Sequence, residues 1–359
     1  MHITETPKCT VGILDTPIQK LERLSQQLGI QLYIKRDDLN GLAFGGNKLR
    51  KLDYFLYEAQ QQGATRIITY GSNQSNHGRL TAAAAAKFGM KCAILMDEMP
   101  PEQATGSLLI DRVLGADIYF MDDSDFAQDP EAVYLEKVRK LYAQATETVK
   151  AKYEAMGETV YIIPEGGSSP LGAVGYFQAA GEIQRQIQQM GLDLDYVVTV
   201  LGSTGTFGGL ILGSKYYGAN WICVGADMAP HSEYAMGRRL AFINRVSKAW
   251  DLGIEITMDD MIVDSSAGGS GYNATDAKTR EYIYMMARNE GIILDPCYTA
   301  KAFGSIVEMA RSGRIPQGSR VLLIHTGGTP GIFAQEHVDA MQEELWSGEQ
   351  TVFRLQEND

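Results

Sequence analysis

Residues 195–218, with the sequence DYVVTVLGSTGTFGGLILGSKYYG, decide the fold class of this chain. A short apolar run rich in valine ends in a glycine-rich turn, and a segment typical of a helix follows. The same order stands at 66–89, where RIITYG precedes SNHGRLTAAAAAKFG, and further apolar runs lie at 91–97, 221–227 and 320–328. Strands and helices that alternate in this way form open, mostly parallel sheets with helices on both faces. The sequence therefore predicts the α/β fold class.

Length and composition are those of a globular protein with more than one domain. The chain has 359 residues, and a domain commonly has about 150. Hydrophobic residues make up 45% and charged residues 21% of the sequence, which is enough to build full cores. The formal net charge of −12 opposes binding to phosphate backbones and anionic lipids. We therefore expect neither nucleic acid nor a membrane as a partner.

The cysteines and the N-terminal sequence favour a cytoplasmic protein. No cysteine pair has the C-x-x-C spacing, so we expect neither a disulfide framework nor a metal site. The N-terminal MHITETPKCT lacks a basic start followed by an apolar run, and the longest apolar stretch, 82–86, is too short to cross a membrane. The cysteines are Cys9, Cys92, Cys223 and Cys297.

Glycine-rich turns follow four of the predicted strands. They stand at Gly71, 166–167, 202–209 and 327–328. Because ligands of open α/β proteins bind beyond the carboxyl ends of the strands, we expect these turns to meet at one cleft.

The segment 35–51, KRDDLNGLAFGGNKLRK, places a lysine at the start of a predicted helix. The dipole at a helix N-terminus disfavours the charge of Lys48 and lowers its pKa. A lysine of this kind suits Schiff-base chemistry. The alternative is an ordinary surface lysine in a basic turn.

A second segment, 70–77, has the sequence YGSNQSNH and precedes the alanine-rich helix. Ser75 and Asn76 can cap that helix, and its free N–H groups can hold a carboxylate. His77, on the first turn, is more typical of a structural hydrogen bond than of a catalytic base. The alternative is a helix cap without a ligand.

A third segment, 202–209, has the sequence GSTGTFGG and suits a phosphate group. Small residues let backbone N–H groups converge, and Ser203, Thr204 and Thr206 add hydroxyl donors. Asp227 ends the next strand, where a dinucleotide fold places its ribose-binding acid. A nicotinamide-dependent oxidoreductase is therefore an alternative at this point.

Six segments together resemble one enzyme family, that of the D-cysteine desulfhydrases and 1-aminocyclopropane-1-carboxylate (ACC) deaminases. These are pyridoxal-phosphate enzymes of the tryptophan synthase β fold type. The resemblance runs from about Thr16 to Phe333. The segments, in chain order, are GLAFGGNKLRKLDYFLYEA, GSNQSNHGRLTAAAAA, YIIPEGGSSPLGAVGY, LGSTGTFGGL, GIILDPCYTAKA and HTGGTPGIF.

The resemblance implies two open, mostly parallel α/β domains with the active site between them. Residues 1–51 and 161–359 would form the large cofactor-binding domain, and 52–160 the small inserted one. The expected cofactor is pyridoxal 5'-phosphate, the expected ligand is a small amino acid, and the expected assembly is a homodimer.

The resemblance also assigns cofactor contacts. Lys48 would be the Schiff-base lysine, Lys51 would contact the phosphate and Asn76 the ring hydroxyl. Thr299 and Thr326 would lie beside the pyridine nitrogen. The phosphate cup would consist of Gly202, Ser203, Thr204, Gly205 and Thr206.

On the substrate side, the resemblance assigns the carboxylate to Ser75, Asn76 and His77, with Ser75 also near the reacting carbon. Tyr272 and Tyr298 would flank the substrate and assist catalysis. Among the departures from the family pattern, Thr204 and Asn273 stand where glycine is usual, and Gly78 and Leu80 replace bulkier and polar residues.

The two threonines suggest the substrate within this family. Ring-opening members resemble D-P-V-Y-E and H-L-G-G. In this chain the first motif ends in Thr299 instead of glutamate, and the second has Thr326 instead of leucine. A hydroxyl keeps the pyridine nitrogen protonated less than a glutamate does, which suits an easier β-elimination. We therefore expect conversion of D-cysteine to pyruvate, ammonia and sulfide. The alternatives are ACC deamination or a lyase reaction of cysteate, D-serine or diaminopropionate.

Overall fold

The computed structural model describes residues 2–126, 128–228, 232–274 and 276–348. The strands form two separate sheets within those ranges. The strands are β1 (Ile18–Lys20), β2 (Gln31–Lys35), β3 (Arg66–Gly71), β4 (Lys91–Met96), β5 (Asp117–Phe120), β6 (Val160–Ile162), β7 (Tyr196–Leu201), β8 (Ile222–Asp227), β9 (Ile262–Asp264) and β10 (Arg320–Ile324).

Helices cover both sheets, and among the described residues no helix is long and apolar enough to cross a membrane. Short 3-10 turns join several elements, including Asp37–Leu39, Leu42–Phe44, Glu165–Gly167 and Thr329–Phe333. The α-helices are α1 (Glu22–Leu28), α2 (Lys48–Gln61), α3 (Asn76–Lys87), α4 (Gly106–Val113), α5 (Glu131–Glu154), α6 (Pro170–Met190), α7 (Gly205–Tyr216), α8 (Glu233–Ala249), α9 (Ala277–Glu290), α10 (Thr299–Arg311) and α11 (Gln335–Leu345).

The larger sheet has the strand order β1-β2-β10-β7-β8-β9, and only β1 runs antiparallel to its neighbour. Successive side chains of a strand point to opposite faces. In β10, Leu322 and Ile324 join the core with α6 and α7, while Val321 and Leu323 join the core with α9 and α10. Burial on both faces explains why this strand is an uninterrupted apolar run.

The smaller sheet has the order β5-β4-β3-β6 and is entirely parallel. One face packs against α2 and α3, and on the other face Ile68 and Leu95 pack against Val149 and Tyr153 of α5. The predicted α/β class with mostly parallel sheets is confirmed. The domain boundaries at 51/52 and 160/161 stay a prediction, and the four strands of this sheet lie between 66 and 162.

A buried ion-pair network fixes the start of α2 against the larger sheet. Arg50 donates to both carboxylate oxygens of Asp37, each at 2.8 Å, and to Glu182 of α6 at 2.7 and 2.9 Å. Lys35 of β2 lies 2.6 Å from the same Glu182 carboxylate. Since Arg50 and Lys48 belong to the same first turn of α2, this network fixes the turn that carries the lysine.

Candidate active site

One cavity of about 300 Å³ lies at the carboxyl ends of strands from both sheets. Gly71 ends β3, Glu98 follows β4, Gly202 follows β7 and Thr326 follows β10, and all four line the cavity. Gly166, from the turn after β6, also lines it, whereas the predicted turn at 327–328 is represented only by the preceding Thr326. The strand ends therefore meet at one cavity, as an open parallel sheet requires.

Lys48 is the first residue of α2 and lines this cavity. Burial lowers the pKa of its ammonium group to about 8, and the nearby Glu165 carboxylate opposes that shift. Position 46 requires glycine, since its φ is 138° and the backbone lies close to Asn76 and Thr326. A Cβ at this position would lie 2.7 Å from the Asn76 side-chain amide and 2.8 Å from the Thr326 carbonyl oxygen. The G-G-N-K sequence thus places an easily deprotonated lysine in the wall of the cavity.

Lys51 lies one turn further along α2 and does not line the cavity itself. Its ammonium group donates to the Gly166 carbonyl at 3.0 Å, and a Cβ on Gly205 would lie 2.9 Å from that nitrogen. Burial and the positive charge of Lys48 lower the pKa of Lys51 well below its usual value. An anion bound at this place would favour the charged form of both buried amines, and the helix N-terminus favours it further.

The turn that begins α7 forms the expected cup. The backbone N–H groups of Ser203, Thr204 and Thr206 have no acceptor among the described residues, as is usual at a helix start. The Asn47 amide donates to the Thr206 hydroxyl at 2.9 Å, and the Ser168 hydroxyl donates to that of Ser203 at 2.9 Å. The cup therefore has free N–H donors, and side-chain hydrogen bonds hold its backbone in place.

Two departures from the family pattern have a common backbone feature. Thr204 has φ of 69° and Asn273 has φ of 54°, both in the left-handed region. Glycine adopts this conformation without steric cost, whereas a β-branched residue such as threonine does so rarely. The geometry explains why glycine is usual at both positions.

The N-terminus of α3 forms the wall next to Lys48. Ser75 caps the helix by accepting from the Gly78 N–H at 3.1 Å, and the Asn76 side chain donates to the Thr326 carbonyl at 2.9 Å. The His77 N–H group has no acceptor within the described part of the chain, and the Asn76 N–H group interacts with the Tyr298 hydroxyl oxygen. The first turn of α3 can therefore bind a carboxylate.

His77 is a buried and neutral side chain. Its Nε2 lies 2.8 Å from the Thr69 hydroxyl, and Nδ1 is buried without a hydrogen-bond partner among the described residues. Burial, together with the charges of Lys48 and Lys51, lowers its pKa well below the usual value. This supports the structural role predicted for the ring rather than a role as a base.

Two tyrosines close the opposite side of the cavity. The Tyr272 and Tyr298 hydroxyls lie 2.9 Å apart, with ring centroids at 5.4 Å, and the Ser72 hydroxyl donates to Tyr272 at 2.9 Å. Burial raises the pKa of both phenols well above the usual value. Both hydroxyls therefore remain protonated and can pass a proton along this chain.

Thr326 lines the cavity, but Thr299 does not. The Thr299 hydroxyl donates to Asp295 at 2.5 Å and accepts from the Asp295 N–H at 2.8 Å, at the first residue of α10. That both threonines lie beside the pyridine nitrogen stays a prediction for Thr299. Its hydroxyl is occupied in the turn that carries Tyr298.

Sequence reasoning missed three carboxylates of the cavity. Asp97 and Glu98 directly follow β4, and Glu165 follows β6 after one proline-containing turn. Their positions at the carboxyl ends of apolar strands were a usable signal.

Asp227, considered for a ribose, has another partner. Its carboxylate accepts from Arg239 at 2.8 and 3.1 Å, and the side chain is 2% exposed. The structure therefore gives no support to the nicotinamide alternative. Within the described ranges, no group of His, Cys, Asp or Glu side chains has the geometry to hold a metal ion.

Comparison with known proteins assigns the chain to a family. Residues 9–327 match the family described as "Pyridoxal-phosphate dependent enzyme". A protein of Pyrococcus abyssi named "Putative 1-aminocyclopropane-1-carboxylate deaminase" is 36% identical over 333 residues, which cover 92% of this chain and 94% of that protein. The 1-aminocyclopropane-1-carboxylate deaminase of Methylobacterium nodulans is 35% identical over 327 residues, 88% of this chain and 93% of the relative.

A solved structure described as an ACC deaminase homologue has the same architecture. It superposes with a TM-score of 0.82 at 32% sequence identity, covering 96% of this chain and 98% of the other. The chain therefore belongs to the pyridoxal-phosphate-dependent enzyme family, with the tryptophan synthase β-like fold, and pyridoxal phosphate is its cofactor.

Proposed function

We propose that this enzyme converts a small amino acid into a 2-keto acid and ammonia. The observation that carries the proposal is the position of Lys48, which lies in one cavity with the free N–H groups of α3 and of the α7 cup. This arrangement provides a base, a carboxylate site and a phosphate site within a space that only a small substrate fits.

The residues present fit pyridoxal phosphate. Free N–H groups of the cup and the buried charge of Lys51 complement a phosphate dianion, and the glycine positions 202 and 205 leave room that a Cβ would occupy. Lys48 would bind the cofactor covalently, and Asn76 and Thr326 would border its ring. When bound, the cofactor withdraws electrons from the α carbon of an amino acid.

The protein side chains would then complete the reaction. The N-terminus of α3 holds the substrate carboxylate, which orients the α hydrogen. The Lys48 amine accepts the α proton at Nζ, because a pKa near 8 leaves part of it neutral at physiological pH. Tyr298, hydrogen-bonded to Tyr272, orients the substrate side chain and supplies or receives a proton at its hydroxyl.

The Lys51→Met variant tests the phosphate site. It removes the buried charge but keeps the side-chain length, so we expect cofactor binding to weaken by about 1.5–3 kcal/mol, as for a lost charge-assisted hydrogen bond. The dissociation constant is measured from the visible absorbance of the holoenzyme after dilution. The control is Lys215→Met, since Lys215 is 40% exposed on the surface of α7. An unchanged constant in Lys51→Met contradicts the assignment.

Two observations favour different substrates. The names of the relatives support ACC, whose ring opening gives 2-oxobutyrate. The hydroxyl of Thr326 in the cavity wall, at a position where ring-opening members resemble leucine, supports β-elimination from D-cysteine or another β-substituted amino acid, which gives pyruvate.

The keto acid identifies the substrate. Purified holoenzyme is supplied separately with ACC and with the D- and L-forms of cysteine, serine and 2,3-diaminopropionate, and the products are separated by chromatography. We expect 2-oxobutyrate or pyruvate from at least one of them. If none yields a keto acid, the proposed function is wrong.

A further inference from the structure

Three carboxylates form one side of the substrate cavity, and we name them the acidic wall: Asp97, Glu98 and Glu165. All three line the cavity. Among its described lining residues, Lys48 alone carries a positive charge, since His77 is neutral. The cavity thus combines a base and a carboxylate site on one side with unbalanced negative charge on the other.

The acidic wall has no cationic partner within hydrogen-bonding distance in the described part of the chain. Asp97 accepts from the Tyr142 hydroxyl at 3.0 Å through one oxygen, while its other oxygen is buried without a partner. Glu98 accepts from the Asn73 N–H at 2.8 Å. Burial raises the pKa of the Asp97 and Glu98 carboxyl groups, and the charge of Asp97 adds to the shift in Glu98. Glu165 is exposed at the mouth of the same cavity, and the charge of Asp97 also raises its pKa. A cation placed among them would relieve this mutual repulsion.

The negative charge continues outside the cavity. A second cavity of about 340 Å³ shares Glu98 with the first and is also lined by Glu102, Glu336 and Asp339, with no lysine or arginine among its described lining residues. A cleft lined by one sign of charge attracts ligands of the opposite sign. Because Lys48 and the carboxylate site lie in the first cavity, the matching positive charge is one carried by the amino-acid substrate itself.

We propose that the preferred substrate carries a positively charged amino group on its side chain, and that 2,3-diaminopropionate represents its class. This inference rests on the proposed function and on its second substrate candidate. The acidic wall would then determine specificity, with a higher kcat/KM for a diamino acid than for D-cysteine.

The reaction balances without an oxidant or reductant. The Cα–H bond breaks and its proton goes to Lys48 Nζ. The Cβ–N bond breaks, the side-chain nitrogen leaves as ammonia with the bonding electron pair, and a Cα=Cβ double bond forms. Water then replaces the α nitrogen, so that 2,3-diaminopropionate and one water give pyruvate and two molecules of ammonia.

The first test is the ratio of kcat/KM for 2,3-diaminopropionate to kcat/KM for serine of the same configuration. We expect the ratio to fall at least about ten-fold in Asp97→Asn and in Glu165→Gln, because each variant removes one charge and keeps the shape. Asp193→Asn is the matched control, since Asp193 is 86% exposed before β7, at the opposite strand end. Its ratio should equal that of the wild type.

The second test measures binding without turnover. The amine of 2,4-diaminobutyrate is on Cγ and is therefore not a β leaving group. We expect the wild type to bind it at least about ten-fold more tightly than neutral 2-aminobutyrate, and we expect this preference to shrink in both amide variants and at high salt. Binding is followed by the change in visible absorbance of the holoenzyme.

The outcomes separate this inference from the proposed function. If neutral amino acids yield keto acid while the diamino acids show no preference and the variants change nothing, the inference is overturned and the function stands. If no amino acid yields a keto acid but 2,4-diaminobutyrate binds preferentially, the function fails and the cation preference stands.

Discussion

We expect the rate of keto-acid release to fall at least about a thousand-fold in the Lys48→Ala variant, because the substitution removes both the general base and the covalent attachment of the cofactor. No other described lysine lines the cavity, since Lys51 points behind it to the Gly166 carbonyl. The visible absorbance of the covalently bound cofactor should disappear as well. Turnover is measured on protein saturated with pyridoxal phosphate, and circular dichroism checks the fold.

Lys140→Ala is the control for this experiment. Lys140 is 72% exposed on α5, where it pairs with Glu136 of the same helix. We expect this variant to keep both turnover and absorbance. Turnover by Lys48→Ala near the wild-type rate would show that the lysine has no part in the chemistry.

The Asp37→Ala variant is expected to destabilise the protein by about 3–5 kcal/mol, the cost of breaking a buried ion pair from one side. Asp37 is fully buried and accepts from Arg50 and from the Thr16 hydroxyl. Burial alone would raise the pKa of this carboxyl group, but the charges of Arg50 and Lys35 hold it well below its usual value. Without Asp37, the buried guanidinium loses a bidentate partner.

Urea unfolding of the apoprotein measures this effect. Asp193→Ala serves as the control, because Asp193 is 86% exposed and lies 3.5 Å from Arg320. An exposed pair of this kind contributes at most about 1 kcal/mol. Equal losses in the two variants would contradict the view that the Asp37 network fixes α2.

Features that depend on local sequence were predictable. The alternation of apolar runs and helical segments identified β3, β4, β7, β8 and β10, because strands buried on both faces are apolar throughout. Ser75 caps α3 and Lys48 begins α2, as predicted, since both depend on a few neighbouring residues. The remaining strands gave no comparable signal, because β1, β6 and β9 have only three residues each and β2 and β5 contain charged residues.

Features that depend on distant contacts were not predictable. Thr299 stands next to Tyr298 in the sequence, yet only Tyr298 lines the cavity, and the Thr299 hydroxyl donates to Asp295. Asn47 braces the cup through a bond to Thr206, 159 residues along the chain. Side-chain direction at such positions is set by packing between elements rather than by sequence spacing.

Borohydride reduction of the holoenzyme, followed by peptide mass spectrometry, tests most directly that this cavity is the active site. Reduction makes the bond between the cofactor and its lysine permanent, so the modified peptide identifies the residue. We expect the modification on Lys48 alone, in the peptide that contains G-G-N-K. Modification of Lys51 or of any other lysine instead would contradict the account.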